Sequence, residues 1–155
     1  MASVVDSIDV KVPVSTAYNQ WTQFEEFPRF MEGVESVKQT DDTHLHWVAE
    51  VGGREKEWDA EITEQHADER IAWNATSGAE NAGVVTFHRL AEAETRVTVQ
   101  MEHETEGMME SLGSALGADS RRVQGDLERF KELVEGRGVE SGAWRGEVEQ
   151  GRQVR

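Results

Sequence analysis

Residues 95–134, TRVTVQMEHETEGMMESLGSALGADSRRVQGDLERFKELV, change period once, and that change decides the fold. Before Gly107 the period is two. Val97, Val99, Met101 and His103 fall on one side, and Arg96, Thr98, Gln100 and Glu102 on the other, which is the pattern of a half-buried strand. After Gly107 the apolar residues recur every three or four positions: Met109, Leu112, Leu116, Val123, Leu127, Phe130 and Val134. This stripe predicts a long helix of about seven turns, with Arg121, Arg122, Glu128, Arg129 and Glu132 mainly off it. A strand with one apolar face followed by a long amphipathic helix implies a sheet covered by that helix.

Upstream, the same strand pattern repeats. Val4, Asp6, Ile8, Val10 and Val12 share a side before Pro13 ends the ladder. Ser15 is read as a helix N-cap, with Ala17, Tyr18, Trp21 and Phe24 at helical spacing. A second short helical turn covers residues 27–31, and Gly33 closes it. The strands that follow begin with residues 34–39; the next carry Leu45, Trp47, Ala49 and Val51; then Trp58, Ala60 and Ile62; then Ile71, Trp73 and Ala75; then Val85 and Phe87. Gly52-Gly53 marks a tight hairpin. Each strand has one apolar and one polar face, as in an antiparallel sheet with one wet side. The fold class expected is α+β: a curved antiparallel sheet of about seven strands wrapped around a long C-terminal helix, with two short helices after the first strand. Residues 1–135 form this domain. The tail, residues 136–155, holds Gly136, Gly138, Gly142, Gly146 and Gly151 among charges and is expected to be poorly ordered. Trp144 within it is either a docking residue, for this or another protein, or a stray aromatic.

Composition narrows the function classes. Hydrophobic residues and the 14 glycines together make up roughly 46% of the 155 residues, enough for a folded core. Acids outnumber bases 31 to 16, for a formal charge of −15, and no basic run exceeds Arg121-Arg122. Nucleic acids and anionic membranes are therefore excluded as expected partners, because both are held by Lys and Arg. The acidity fits either solubility in high salt or an ordinary acidic protein. With no cysteine there is no disulfide, thiolate or Cys-ligated metal chemistry. The start of the chain lacks a basic n-region, and no apolar run reaches the ~18 residues of a span, so a cytoplasmic location is expected.

The order of strand, two short helices, six strands and a long helix is that of the helix-grip fold. The chain also resembles the SRPBCC (START-like) superfamily, most closely its bacterial polyketide cyclase/dehydrase group. The stretches that carry the resemblance are residues 8–13 with Ala17, Tyr18 and Trp21; FEEFPRFM at 24–31; Trp47; residues 58–62; Trp73; GVVTF at 83–87; TRVTV at 95–99; and GDLERF at 125–130. The resemblance implies a deep apolar cavity between the sheet and the long helix. It implies binding or transport of a small apolar or aromatic molecule, such as a lipid, a quinone or a polyketide-like compound. The alternatives are a cyclase/dehydrase-type enzyme, for which no catalytic motif can be matched, and a protein-interaction module.

The ligand-binding candidates are Trp47, Trp58, Trp73, Phe87, Met101, His103, Met109, Leu112 and Leu116. The aromatic residues among them are equally readable as core. Gly113 and Gly117 with Ala115 and Ala118 keep the first half of the helix slim, which leaves room for a ligand or allows close helix–sheet packing. His103, at the end of the last strand, is the one candidate acid/base. His44 and His46 share a face, but no third ligand stands at metal spacing, so no metal and no cofactor are expected. Glu57, Asp59 and Glu61 read as a solvated face. No phosphate loop and no nucleophile elbow occur.

Overall fold

The computed structural model describes residues 2–51, 53–78, 81–103 and 112–154, with side chains except at 2, 51, 103 and 112–120. In chain order the elements are β1 (Ala2–Val10), α1 (Val14–Trp21), a 3-10 helix (Phe24–Arg29), β2 (Val34–Asp41), β3 (His44–Val51), β4 (Arg54–His66), β5 (Arg70–Gly78), β6 (Asn81–Ala91), β7 (Glu94–His103), α2 (Leu112–Arg137), β8 (Val148–Glu149) and β9 (Arg152–Gln153). The main sheet runs β1-β7-β6-β5-β4-β3-β2, antiparallel throughout, so β1 and β2 are its edges. This is the α+β helix-grip architecture that the periodicities predict.

The core forms on the predicted faces. Val10, Leu45, Ile62, Ile71, Val85 and Val97 are buried on the concave side, against Val123, Leu127, Phe130 and Val134 of α2. Burying each such side chain contributes roughly 1.5–3 kcal/mol. Trp21 joins the two layers: its ring lies 4.8 Å from Phe130 and 5.7 Å from Phe30. α1 is capped two residues earlier than the expected Ser15. Pro13 occupies the cap position with no side-chain hydrogen bond.

α2 grips both edges of the sheet. On the β1 side, Lys131 Nζ donates to the Asp9 carbonyl at 3.1 Å. On the β2 side, Arg129 Nε donates to the Phe30 carbonyl at 2.8 Å, and Arg122 Nη2 to the carbonyls of Glu32 (2.8 Å) and Glu50 (3.2 Å). Gly33, with φ +84°, lets the chain pass directly under the Arg122 guanidinium, which fills the place of a side chain there. Asp126 completes this clamp. It accepts from the Glu32 N–H at 2.8 Å and from Arg129 at 2.5 Å, and burial still raises its carboxyl above the ordinary range.

The tail, residues 136–155, makes contacts with the domain at two places. β4 is longer than its partner β3, whose pairing ends at Glu61. The edge left open at Glu64 and Gln65 is covered by β8, and the Gly151 N–H donates to the Thr63 carbonyl at 3.0 Å. An open edge is a template for pairing, which composition alone does not reveal. The tail also answers the buried polar groups of α1. The Ser141 N–H donates to Gln20 Oε1 (2.9 Å), the Trp144 N–H to Thr22 Oγ1 (3.1 Å), and Arg145 to Asn19 Oδ1 (2.7 Å). Trp144 thus packs against the core of its own domain. Among the described residues no helix is long and apolar enough to cross a membrane.

Candidate functional site

The concave face has two unlike halves. Toward the C-terminal half of α2 it is sealed, and Phe87 belongs to this half. Phe87 is 4% exposed, edge-on to Tyr18 at 5.4 Å and Trp21 at 6.3 Å. It is core, although its strand phase matches that of the ligand-binding candidates. At the other end of the sheet, Trp47, Trp58, Trp73 and Met101 also point inward, yet all four are only half-buried. At this end the clamp residue of α2 is Arg122, and residues 112–120 of the helix precede it.

The rings at this end are held in place. Trp47 and Trp58 are register partners on β3 and β4, and they stack at 5.6 Å with 10° between planes. Phe27 of the 3-10 helix supports Trp47 from behind at 5.5 Å. The Trp47 Nε1 atom is buried without a hydrogen-bond partner among the described residues. Trp73 lies across Gly83, its register partner on β6: a Cβ at 83 would meet the indole at 2.6 Å and the Gln100 carbonyl at 2.7 Å. Trp73 Nε1 donates to Asn81 Oδ1 at 3.1 Å, which fixes the ring's orientation. Gly83 is the glycine of the GVVTF stretch, and it provides the seat of the largest ring on that strand row.

The other candidates are only partly placed. Met101 pairs across the sheet with Val4 and Gly83. His103 ends β7 opposite Ala2 and Asn81, and its side chain lies outside the described set. Leu112 and Leu116 lie on the first turns of α2, again without described side chains, and Met109 lies outside the described residues.

One inward polar group escaped the candidate list. Asp6 sits on the concave side of β1, opposite Val99. With its amide nitrogen toward β1, Gln124 of α2 donates to both Asp6 carboxylate oxygens, at 2.6 and 2.8 Å. The strand phase had already placed Asp6 beside Val4 and Ile8. What was missing was a reason to single out one of many carboxylates.

Two histidine–carboxylate pairs lie on the outer face of the sheet. His46 Nδ1 lies 2.7 Å from Asp59 on the outer face, and this contact raises the imidazole and lowers the carboxyl. His44 is held by its own carboxylate, Asp41, at 2.9 Å. The two imidazoles therefore do not converge on one point. Tyr18 is pushed up to about 12, mainly by burial. A separate groove of about 570 Å³ lies between the 3-10 helix, the end of β2 and the tail. It is lined by Glu25, Glu26, Asp41, Asp42 and Trp144 among others, and so many carboxylates suit it poorly to an apolar ligand.

Comparison with known proteins agrees with this architecture. A 17.2 kDa protein of Streptomyces lincolnensis, described as an uncharacterized product of the melC2-rnhH intergenic region, is 56% identical over 149 residues, which span 96% of this chain and 99% of the relative. A solved structure from Deinococcus radiodurans is 27% identical and superposes with a TM-score of 0.70, covering 88% of this chain and 99% of that one. The Zhui aromatase/cyclase of Streptomyces sp. R1128 is 13% identical, with a TM-score of 0.73 over 92% of this chain and 99% of its own; this likeness is one of fold. The family model for polyketide cyclase/dehydrase and lipid transport matches residues 10–132. With that match over most of the domain, the chain belongs to the polyketide cyclase/dehydrase and lipid transport family, in the START-like SRPBCC superfamily.

Proposed function

We propose that this protein holds a small apolar or aromatic molecule, of lipid, quinone or polyketide type, between the tryptophan-lined end of the sheet and the N-terminal half of α2. The contrast along the concave face carries this reading: one half is sealed, while at the other Trp47, Trp58, Trp73 and Met101 point inward and remain half-buried. Ligand sites are mostly apolar, with a few placed polar groups. The buried Trp47 N–H is such a group, a donor that a ligand oxygen would satisfy. The test is native mass spectrometry of the purified chain with denaturing extraction of any bound compound, followed by titration of tryptophan fluorescence with lipids, quinones and aromatic polyketides. Saturable quenching that Met101→Trp abolishes by filling the space supports the reading. A clean apo mass with no quenching by any class overturns it.

A second reading is catalysis of the cyclase/dehydrase kind, which needs an acid/base group beside the ligand. Asp6, an inward carboxylate held by Gln124, supports it, and His103 is the other candidate. In that case Asp6→Asn or His103→Gln removes turnover of a bound substrate while leaving its affinity in place. Unchanged turnover in both variants leaves binding as the function.

A further inference from the structure

Where the tail returns to the sheet, four chemistry-bearing side chains come together outside the concave site. In the β4–β8 ladder Glu64 lies opposite Glu149 and Gln65 opposite Val148. Gln65 and Val148 are buried at 1% and 0%. By strand alternation Glu64, His66, Glu147 and Glu149 share the outward face. His66 lies 3.6 Å from Glu64 through Nε2 and 3.8 Å from Glu147 through Nδ1. One donor atom from each of His66, Glu147 and Glu149 lies within 4.8 Å of the other two.

Like charges placed opposite each other on a ladder are unfavourable, and the chain already carries −15. Glu64 is held by Arg70 at 2.8 Å. The other three comprise an imidazole and two carboxylates, a donor set that suits zinc-type ions; magnesium prefers oxygen alone and keeps its waters. We propose that His66, Glu147 and Glu149 bind one divalent transition-metal ion of the zinc type, which fastens the tail strand β8 to β4. Nδ1 of His66, the nitrogen facing Glu147, is the ligating atom. Nε2 is left facing Glu64, in the carboxylate–histidine–metal arrangement that orients ligating imidazoles. Ligand bonds of roughly 2.0–2.2 Å require the donors to draw inward, a movement within reach of two glutamate side chains on a strand end.

The test uses the full chain and zinc chloride in excess magnesium, so that diffuse attraction to the acidic surface is already saturated. Calorimetry is expected to show one zinc equivalent. His66→Ala and the surface change Glu149→Gln should each weaken binding about tenfold or more, whereas His46→Ala, on the other histidine–carboxylate pair, should leave it unchanged. Long-range proton–nitrogen spectra of the five imidazoles identify the ligand directly, with the His66 resonances moving on zinc addition. Non-saturable binding, affinity undiminished in both ligand variants, or movement of His44 or His46 in place of His66 overturns the proposal.

Discussion

Alanine at Gly83 and alanine at Gly125 should change stability in opposite directions. At Gly83 a Cβ would meet Trp73 Cζ2 at 2.6 Å and the Gln100 carbonyl oxygen at 2.7 Å. The indole can tilt away only by giving up its bond to Asn81, and the carbonyl belongs to β7, which is paired on both sides and cannot rotate aside. Overpacking of this kind costs about 1–3 kcal/mol. Restricting the unfolded chain returns about 0.4–1 kcal/mol, so the net loss expected is at most about 2.6 kcal/mol. For a domain of this size that is a fall in Tm of up to about 10 °C. At Gly125, inside α2, a Cβ meets only the Arg129 guanidinium, at 3.3 Å, which has to give by a few tenths of an ångström while keeping its bonds to the Phe30 carbonyl and Asp126. There the helix propensity of alanine should add about 0.5–1 kcal/mol. Urea denaturation of both variants beside the parent, with the Trp73 indole N–H followed by NMR in Gly83→Ala, is the assay. A Gly83→Ala protein as stable as the parent, with its indole resonance unmoved, would show that Trp73 does not rest on Gly83, and the ligand wall built on that contact would fall with it.

Phe130→Ala removes the ring that joins Trp21 and Phe30 at 0% exposure and should cost about 3–5 kcal/mol, read as a lower urea midpoint. His46 should titrate above the ordinary imidazole value of 6.5, and Asp59→Asn should lower it, with Glu57 still raising it, by NMR titration. The sign follows from both partners: a raised histidine favours the fold until the pH climbs through its folded value, and a lowered aspartate favours it until the pH falls through its own. The pair therefore supports the fold fully between the ordinary values of 3.8 and 6.5, and Asp59→Asn should flatten the pH dependence of stability on both flanks of that window. Arg122→Ala unfastens α2 from the carbonyls of Glu32 and Glu50; faster hydrogen exchange in the helix ahead of it, with exchange around Phe130 unchanged, is the expected result.

The sequence by itself determined the strand phases, and through them which face of each strand turns inward. Trp47, Trp58, Trp73 and Met101 are inward because side chains alternate strictly along an extended backbone, and a period of two survives any tertiary arrangement. The long helix was legible for the same reason, from its three- and four-residue steps. Depth was not legible. Phe87 and Trp73 have the same phase on neighbouring strands, yet one is sealed under Tyr18 and Trp21 and the other is half-open, because sealing depends on where α2 crosses the sheet. Nor was the path of the tail: its glycines carry no period, while its contacts rest on an edge of β4 that β3 leaves open and on polar groups of α1 that need partners. The meeting of His66 with Glu147 and Glu149 likewise spans some 80 positions of chain and exists only because β8 returns to that edge. Local period is a property of successive residues, whereas burial, edge pairing and convergence belong to segments far apart in the chain, and only the folded arrangement brings those together.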